Sequence, residues 1–358
     1  MKRSFKDQNG RPVRLAAVAT ATPPFTADQR MAEDFLVGNF RPRLSRRSLN
    51  VMRKFLAHPS VRQRHFAMDS PDCLLTEDPD QRIGRFSRWA VDLSAQAAMR
   101  ALGAAGLTPR DVSALVVNTC TGYLCPGLSS YLLESLGLPR DIRAYDLAGS
   151  GCGGAIPNLQ IGQEYLRSNG EGAALCISVE ICSATFQVED DLSLLLSNAL
   201  FADGAAAAVL WTRPQGLELV ASSSCHQPED REAIRYVHKN GQLYNQLSRL
   251  LPGIVNRAVR VAVEGVLKPR GLAVADVAHW ALHGGGDHVI TAVAQELGLA
   301  AEKLGATRKI LAQYGNMSSP SVLFALREVL DNGIRPREWC LMASFGAGLS
   351  AHALLLRS

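Results

Sequence analysis

The sequence predicts an α/β protein built from two copies of one unit and folded as a layered α/β/α/β/α sandwich. Three observations lead there: an internal duplication, an alternation of helix-like and strand-like segments, and strand runs such as ALVV, AALCISV and AAAAVL that are apolar almost throughout. A strand covered on both faces reads as a continuous apolar run, whereas a half-exposed one alternates.

The duplication is direct. GLTPRDVSALVV begins at Gly106 and GLAVADVAHWAL at Gly271, so Gly106/Gly271, Leu107/Leu272, Asp111/Asp276 and Val112/Val277 match at an offset of 165 (271 less 106). Each copy follows a helix-like stretch, SAQAAMRAL or VRVAVEGVL. Farther on, FADGAAAAVLW from Phe201 resembles FGAGLSAHALLL from Phe345 at an offset of 144 (345 less 201), with Gly204 matching Gly348. The first copy therefore carries extra sequence, assigned to the polar stretch around Gln187 to Ser197. The halves are expected to divide as 1–221 and 222–358.

Apolar spacing predicts, in the first half, helices over 90–105, 128–137 and 155–169 and strands over 114–118, 142–147, 173–180 and 205–212. In the second half it predicts helices over 254–268, 287–297, 302–313 and 320–332 and strands over 277–282, 338–344 and 349–356.

At 358 residues, 47% hydrophobic and 20% charged, the chain can bury a substantial core. It has neither an apolar run of about 18 residues nor a leader-like start, so a cytoplasmic protein without integral membrane association is expected. Eight scattered cysteines with no CxxC pair argue against a disulfide framework and against a zinc or other metal site. The net charge of +5 is too modest for a nucleic-acid binder. Its main concentration, Arg43, Arg46, Arg47, Arg53, Lys54, Arg62 and Arg64, is either a solvated helix face or a seat for substrate phosphates.

Chemistry concentrates in IRAYDLAGSGCGGAIPNLQIGQEYL, a strand, a glycine-rich turn and a helix beginning near Ala155. Cys152 lies at the turn, where a helix N-terminus should lower its thiol pKa and supply a thiolate. A small buried cysteine filling space is the alternative. Gly149, Gly151 and Gly154 also spell a dinucleotide fingerprint, rejected because the strand does not open a βαβ unit and a cysteine interrupts the turn. His283 ends an apolar strand ahead of Gly284–Gly286, and Asn316 occupies YGNMSSPSVLFAL. The 165-residue offset makes the Asn316 loop the counterpart of the Cys152 loop. Singly, His283 could be a satisfied strand-end histidine and Asn316 a turn residue. Together, Cys, His and Asn supply a nucleophile, a base or hydrogen-bond donor, and a second donor for an oxyanion. Cys176 and Cys340 sit inside apolar strands and read as inert, whereas Cys120 and Cys125 flank a loop.

SGCGG around Cys152, ALFADGAAA around Phe201, WALHGGG around His283 and YGNMSSPSVLF around Asn316 together resemble the type III polyketide synthases, the chalcone synthase superfamily, in its bacterial branch. The resemblance covers essentially the whole chain. It implies a thiolase fold, a homodimer, and a Cys152–His283–Asn316 triad acting on coenzyme A thioesters as substrates, with no other cofactor. It makes Phe201 a gate and places Lys54 and His58, with Arg53 adjacent, at coenzyme A phosphates, although Val51 replaces a basic family position. Cys120, Thr121, Cys182, Thr185 and Phe345 would line the cavity, and Cys125 would reach into the partner's site. Tyr236 stands where plant relatives have glycine, and Ser344 and Ala347 depart from the usual GFGPG.

The activity implied is acyl transfer by decarboxylative condensation of malonyl-CoA onto an acyl-CoA starter. A long-chain fatty acyl starter leading to an alkylpyrone or alkylresorcinol is expected. A malonyl-only synthase of a tetrahydroxynaphthalene- or phloroglucinol-type aromatic is the alternative. A β-ketoacyl synthase III-like enzyme is disfavoured because HGGG replaces HQAN, a cysteine hydrolase by the duplication, and a non-catalytic acyl-CoA binder by the intact triad.

Overall fold

The computed structural model describes residues 11–358; the first ten, read above as holding no leader and as opening the first half, lie outside the described residues. The strands are β1 (Arg14–Ala21), β2 (Phe25–Asp28), β3 (Gln63–Phe66), β4 (Val112–Asn118), β5 (Arg143–Leu147), β6 (Ala173–Ile181), β7 (Asp203–Trp211), β8 (Leu217–His226), β9 (Ile234–Lys239), β10 (Gln242–Leu247), β11 (Val277–Leu282), β12 (Trp339–Gly346) and β13 (Ser350–Arg357). The helices are α1 (Gln29–Phe40), α2 (Arg46–Leu56), α3 (Cys73–Thr76), α4 (Pro79–Ala104), α5 (Leu128–Ser135), α6 (Ala155–Asn169), α7 (Leu192–Leu200), α8 (Leu251–Leu267), α9 (Asp287–Leu297), α10 (Gly305–Tyr314) and α11 (Ser321–Asp331).

Among the described residues, nine strands run in the order β11-β12-β13-β8-β1-β7-β6-β4-β5. The order exposes the duplication: outward from the β8/β1 junction, β13, β12 and β11 answer β7, β6 and β4, and β5 has no counterpart. The paired registers of β1 and β8 are confined to Arg14↔Glu218 and Leu15↔Leu217, so two sheets diverge from that corner. Helices α6 and α11 fill the space between them. Their Ile156, Leu159, Val322 and Leu326 join Val116 and Leu210 of one sheet and Met342 and Leu354 of the other in one core. Helix α4 covers the outer face of the first sheet and α8 that of the second, each with its own core. The expected five layers result.

Each strand predicted as a continuous apolar run is covered on both faces, β6 and β7 being buried at every position. Strand β5 differs: Arg143, Ala144, Tyr145 and Asp146 are exposed along an open sheet edge. Helix α4 begins at Pro79, earlier than the predicted 90, because Asp78 accepts from the Gln81 amide while the Gln81 side chain accepts from the Asp78 amide. The extra stretch near Gln187–Ser197 contributes α7, which packs its Leu195 and Ala199 against Met52 and Leu56 of α2. The division at 221/222 falls inside β8 (Leu217–His226), whose partner along most of its length is β13.

Candidate active site

The nucleophile turn is built by close backbone approach. Gly149 and Gly151 have φ of +84° and +53°, values that favour glycine, and a short 3₁₀ turn over Gly151–Gly153 leads into α6. Against it lies the β12–β13 turn: a Cβ on Gly346 would stand 2.2 Å from Ser150 O, 2.4 Å from Gly153 N and 3.0 Å from Cys152 N. Ser344 Oγ donates to Gly153 O at 3.1 Å, pinning the same turn from β12.

The second half brings up the other two residues. Gly315, at φ +71°, delivers Asn316 to α7's exit: Asn316 N donates to Leu200 O at 2.8 Å and Ala202 N to Asn316 O at 2.9 Å. Ser318 N donates to Asn316 Oδ1 at 2.8 Å, which orients the amide, and the NH₂ faces Gly285 O at a long 3.5 Å in the glycine run after His283. Ser318 Oγ donates to Cys152 Sγ at 3.2 Å, so the Asn316 and Cys152 loops meet, as the duplication requires. His283 sits past β11 with its amide donating to Ala343 O at 2.8 Å and its ring edge-on to Phe345 at 4.9 Å. Both ring nitrogens are buried without a partner among the described residues.

Burial dominates the electrostatics. The Cys152 thiol is pushed up to about 12 by desolvation, which outweighs the lowering by the Ser318 hydroxyl and by its own backbone amide. The expected thiolate is therefore not the resting form. Desolvation also lowers His283 to about 3, leaving its imidazole neutral. Glu180, at the end of β6, is fully buried. Desolvation raises its pKa, while donors from Cys120 N (2.9 Å), Thr121 N (3.1 Å), Thr121 Oγ1 (2.9 Å) and Ser319 Oγ (2.7 Å) oppose the rise.

The remaining expected residues fall in four groups. Cys182, Thr185 and Phe201 line a largely apolar cavity of about 110 Å³ together with Phe25, Met31, Phe35, Phe66 and Phe186. Tyr236 closes on it from the β9–β10 hairpin, its hydroxyl 3.4 Å from Thr185 Oγ1. Cys120 and Thr121 belong instead to the Glu180 cluster, with Cys120 Sγ 3.6 Å from Ser318 Oγ. On α2, Arg53 pairs with Glu33 at 3.1 Å and Lys54 is exposed; His58 just beyond bonds Ser60 Oγ at 2.8 Å and lies 5.9 Å from the His288 ring at the start of α9. Cys125 is exposed on the β4–α5 loop, two residues from Tyr123, which is 78% exposed.

Sequence reasoning missed Glu180, Ser318 and Ser319, and it read Arg64 as part of a solvated helix face or a phosphate seat, whereas the residue is buried on β3. A single acid ending the otherwise apolar run AALCISVEI was a visible signal for Glu180. The 165-residue offset carried position 152 to 317, one residue from Ser318.

A buried thiol on a glycine turn, met across a pseudo-twofold by an oriented asparagine amide and a neutral histidine, in a duplicated five-layered sandwich, defines a thiolase-fold condensing enzyme. The chain belongs to the type III polyketide synthase family: residues 22–279 match the model described as FAE1/Type III polyketide synthase-like protein, and residues 218–358 match Chalcone and stilbene synthases, C-terminal domain. It is 30% identical over 350 residues to a 1,3,6,8-tetrahydroxynaphthalene synthase of Streptomyces peucetius subsp. caesius, covering 96% of this chain and 92% of the relative. A 3,5-dihydroxyphenylacetyl-CoA synthase of Streptomyces toyocaensis is 29% identical over 320 residues, covering 86% and 82%. Among solved structures, PKS-I from the brown alga Ectocarpus siliculosus superposes with a TM-score of 0.90 at 28% identity, over 99% of this chain and 100% of that one. The enzyme is thus an acyltransferase of the condensing type. No helix among the described residues is long and apolar enough to cross a membrane.

Proposed function

We propose that the enzyme loads an acyl-CoA starter on Cys152 and extends it with malonyl-CoA, the starter being a long-chain fatty acyl group and the product an alkylpyrone or alkylresorcinol. The observation that carries the choice of starter is the cavity at Cys182, Thr185 and Phe201, whose further walls are mostly phenylalanine, methionine and leucine, with a minority of polar side chains such as Gln187 and Asn198. Each methylene buried there would contribute about 0.8 kcal/mol.

In this reading neutral His283 accepts the Cys152 proton as sulfur attacks the starter carbonyl, and the coenzyme A thiolate leaves with that proton. The Asn316 NH₂ and His283 then face the carbonyl oxygen of malonyl-CoA. Loss of carbon dioxide leaves an enolate whose negative oxygen they hold. The enolate carbon attacks the Cys152 thioester, forming the new carbon–carbon bond and releasing the Cys152 sulfur. Lys54, His58 and Arg53 hold the coenzyme A phosphates, and no metal or further cofactor takes part. The chain acts as a homodimer of two thiolase-like halves per subunit, joined through the open β5 edge so that Cys125 reaches the partner's cavity.

A second reading is favoured by the relatives, whose names specify polyhydroxylated aromatics. A synthase using malonyl units alone would make such a product. The two readings separate on a panel of acyl-CoA starters from C2 to C18 with labelled malonyl-CoA, products being identified by mass. A kcat/KM that rises with chain length supports the first, and Cys182→Trp should then shift the optimum to shorter starters. Product from malonyl-CoA alone, with every fatty acyl-CoA inert, establishes the second.

A further inference from the structure

Arg64, on β3, is only 2% exposed, yet it forms no ion pair within 4.0 Å among the described residues. Its Nη1 donates to two backbone carbonyls at the C-terminal end of α7, Asn198 O at 2.6 Å and Phe201 O at 3.0 Å. These lie in the last turn, where carbonyls lack amide partners from the helix itself and the dipole favours a cation. Asp203 supplies the nearby negative charge that helps keep the guanidinium protonated.

The same stretch of α7 carries Asn316, through the hydrogen bonds to Leu200 O and from Ala202 N. Gly315 completes the contact from the other side: a Cβ there would stand 2.7 Å from Arg64 Cγ and 2.9 Å from Leu200 O. Arg64 thus touches the Phe201 carbonyl and the residue preceding Asn316 with one side chain.

We propose that Arg64 is a positioning residue for the condensation reaction, clamping the Phe201 and Asn316 segments into one unit so that the Asn316 amide is presented to the enolate at a set angle. The proposal rests on Asn316 acting on the enolate, as in the reading above. Cys152 stands on the turn between β5 and α6, which Arg64 does not touch. Loss of the clamp should therefore harm decarboxylation and spare the nucleophile.

The test uses the full chain with Arg64→Gln and Arg64→Lys, scoring carbon dioxide release from malonyl-CoA, Cys152 alkylation by iodoacetamide, and Tm. For Arg64→Gln, decarboxylation kcat should fall by about 10- to 100-fold, the scale expected for a catalytic group displaced by about 1 Å. Alkylation should stay within about threefold, and Arg64→Lys should recover part of the loss. A parallel fall of both rates with Tm, or unchanged decarboxylation, overturns the proposal. Should Arg64→Gln fail to fold, the same comparison on Arg64→Lys decides. A wild-type enzyme that releases no carbon dioxide from malonyl-CoA would instead overturn the reading of the site itself.

Discussion

Ser318 Oγ of the second half donates a hydrogen bond to Cys152 Sγ of the first at 3.2 Å, so the nucleophile is tuned by the repeat that does not carry it. A hydroxyl donor to a thiolate contributes about 1.5–3 kcal/mol, or roughly one to two pKa units. Removing it in Ser318→Ala favours the thiol and moves the pH dependence of Cys152 alkylation upward by that amount. An unchanged profile would show that the bond does not persist to the thiolate. Cys176, raised by burial with no lowering partner, should react more slowly than Cys152 in both proteins.

Asn316→Ala removes the oriented NH₂. Decarboxylation of malonyl-CoA should drop by about 10²–10³, the cost of one oxyanion donor. Starter transfer to Cys152, followed by intact mass, should drop much less. Equal losses in the two steps would contradict the division of roles.

Gly346→Ala forces a methyl to within 2.2 Å of Ser150 O, with backbone on both sides. The Cys152 turn must shift, so activity should be lost together with about 1–3 kcal/mol of stability. Gly305→Ala, which meets nothing within 4 Å and has an ordinary helical φ, is the control and should be neutral or slightly stabilising in denaturant titrations.

Sedimentation should show a dimer. Cys125→Trp should alter product length while Cys152 alkylation stays normal, because in the proposed dimer the substituted side chain would enter the partner's cavity and leave its own subunit's turn alone. A fully active monomer refutes the arrangement.

Acid should destabilise the fold through buried histidines. His352, on β13 with Nδ1 2.8 Å from Ser224 Oγ, is lowered from 6.5 to about 4 by desolvation, with His226 adding to the effect. A depressed folded pKa means that the neutral form is favoured. Its stabilisation is therefore complete above pH 6.5 and drains away as the pH falls toward 4. Thermal melts of His352→Gln should show a shallower decline over that interval than wild type; identical slopes would assign the acid sensitivity elsewhere.

What could be read from the sequence follows from how each element is stabilised. β6 and β7 are buried on both faces, so composition alone declares them, and Cys152, His283 and Asn316 sit in short segments whose glycines and polar residues interrupt apolar runs. β8 was not legible because its second half is SSSCH, where Ser222, Ser224 and His226 are exposed and the strand is held by β13. The β9–β10 hairpin turns at Asn240 and Gly241, both at positive φ, but its strands are only half buried and lack a clear period. Glu180 and Ser318 escaped for a different reason. Their importance lies in contacts across 60 and 166 residues of chain, which no local pattern encodes.

The two ends of the sheet order are not alike. At β11 the Lys303 ammonium donates to Val277 O at 3.3 Å and Ala278 O at 2.8 Å, stoppering carbonyls that an incoming strand would use. At β5 nothing comparable stands in the way among the described residues. A ribbon with one open border and one plugged border can be stitched to a copy of itself once, border to border, after which both outer margins are plugged. In the dimer proposed above, Lys303 would then guard both outer margins against a further strand, and the extra strand that breaks the internal symmetry of the fold would carry the external one.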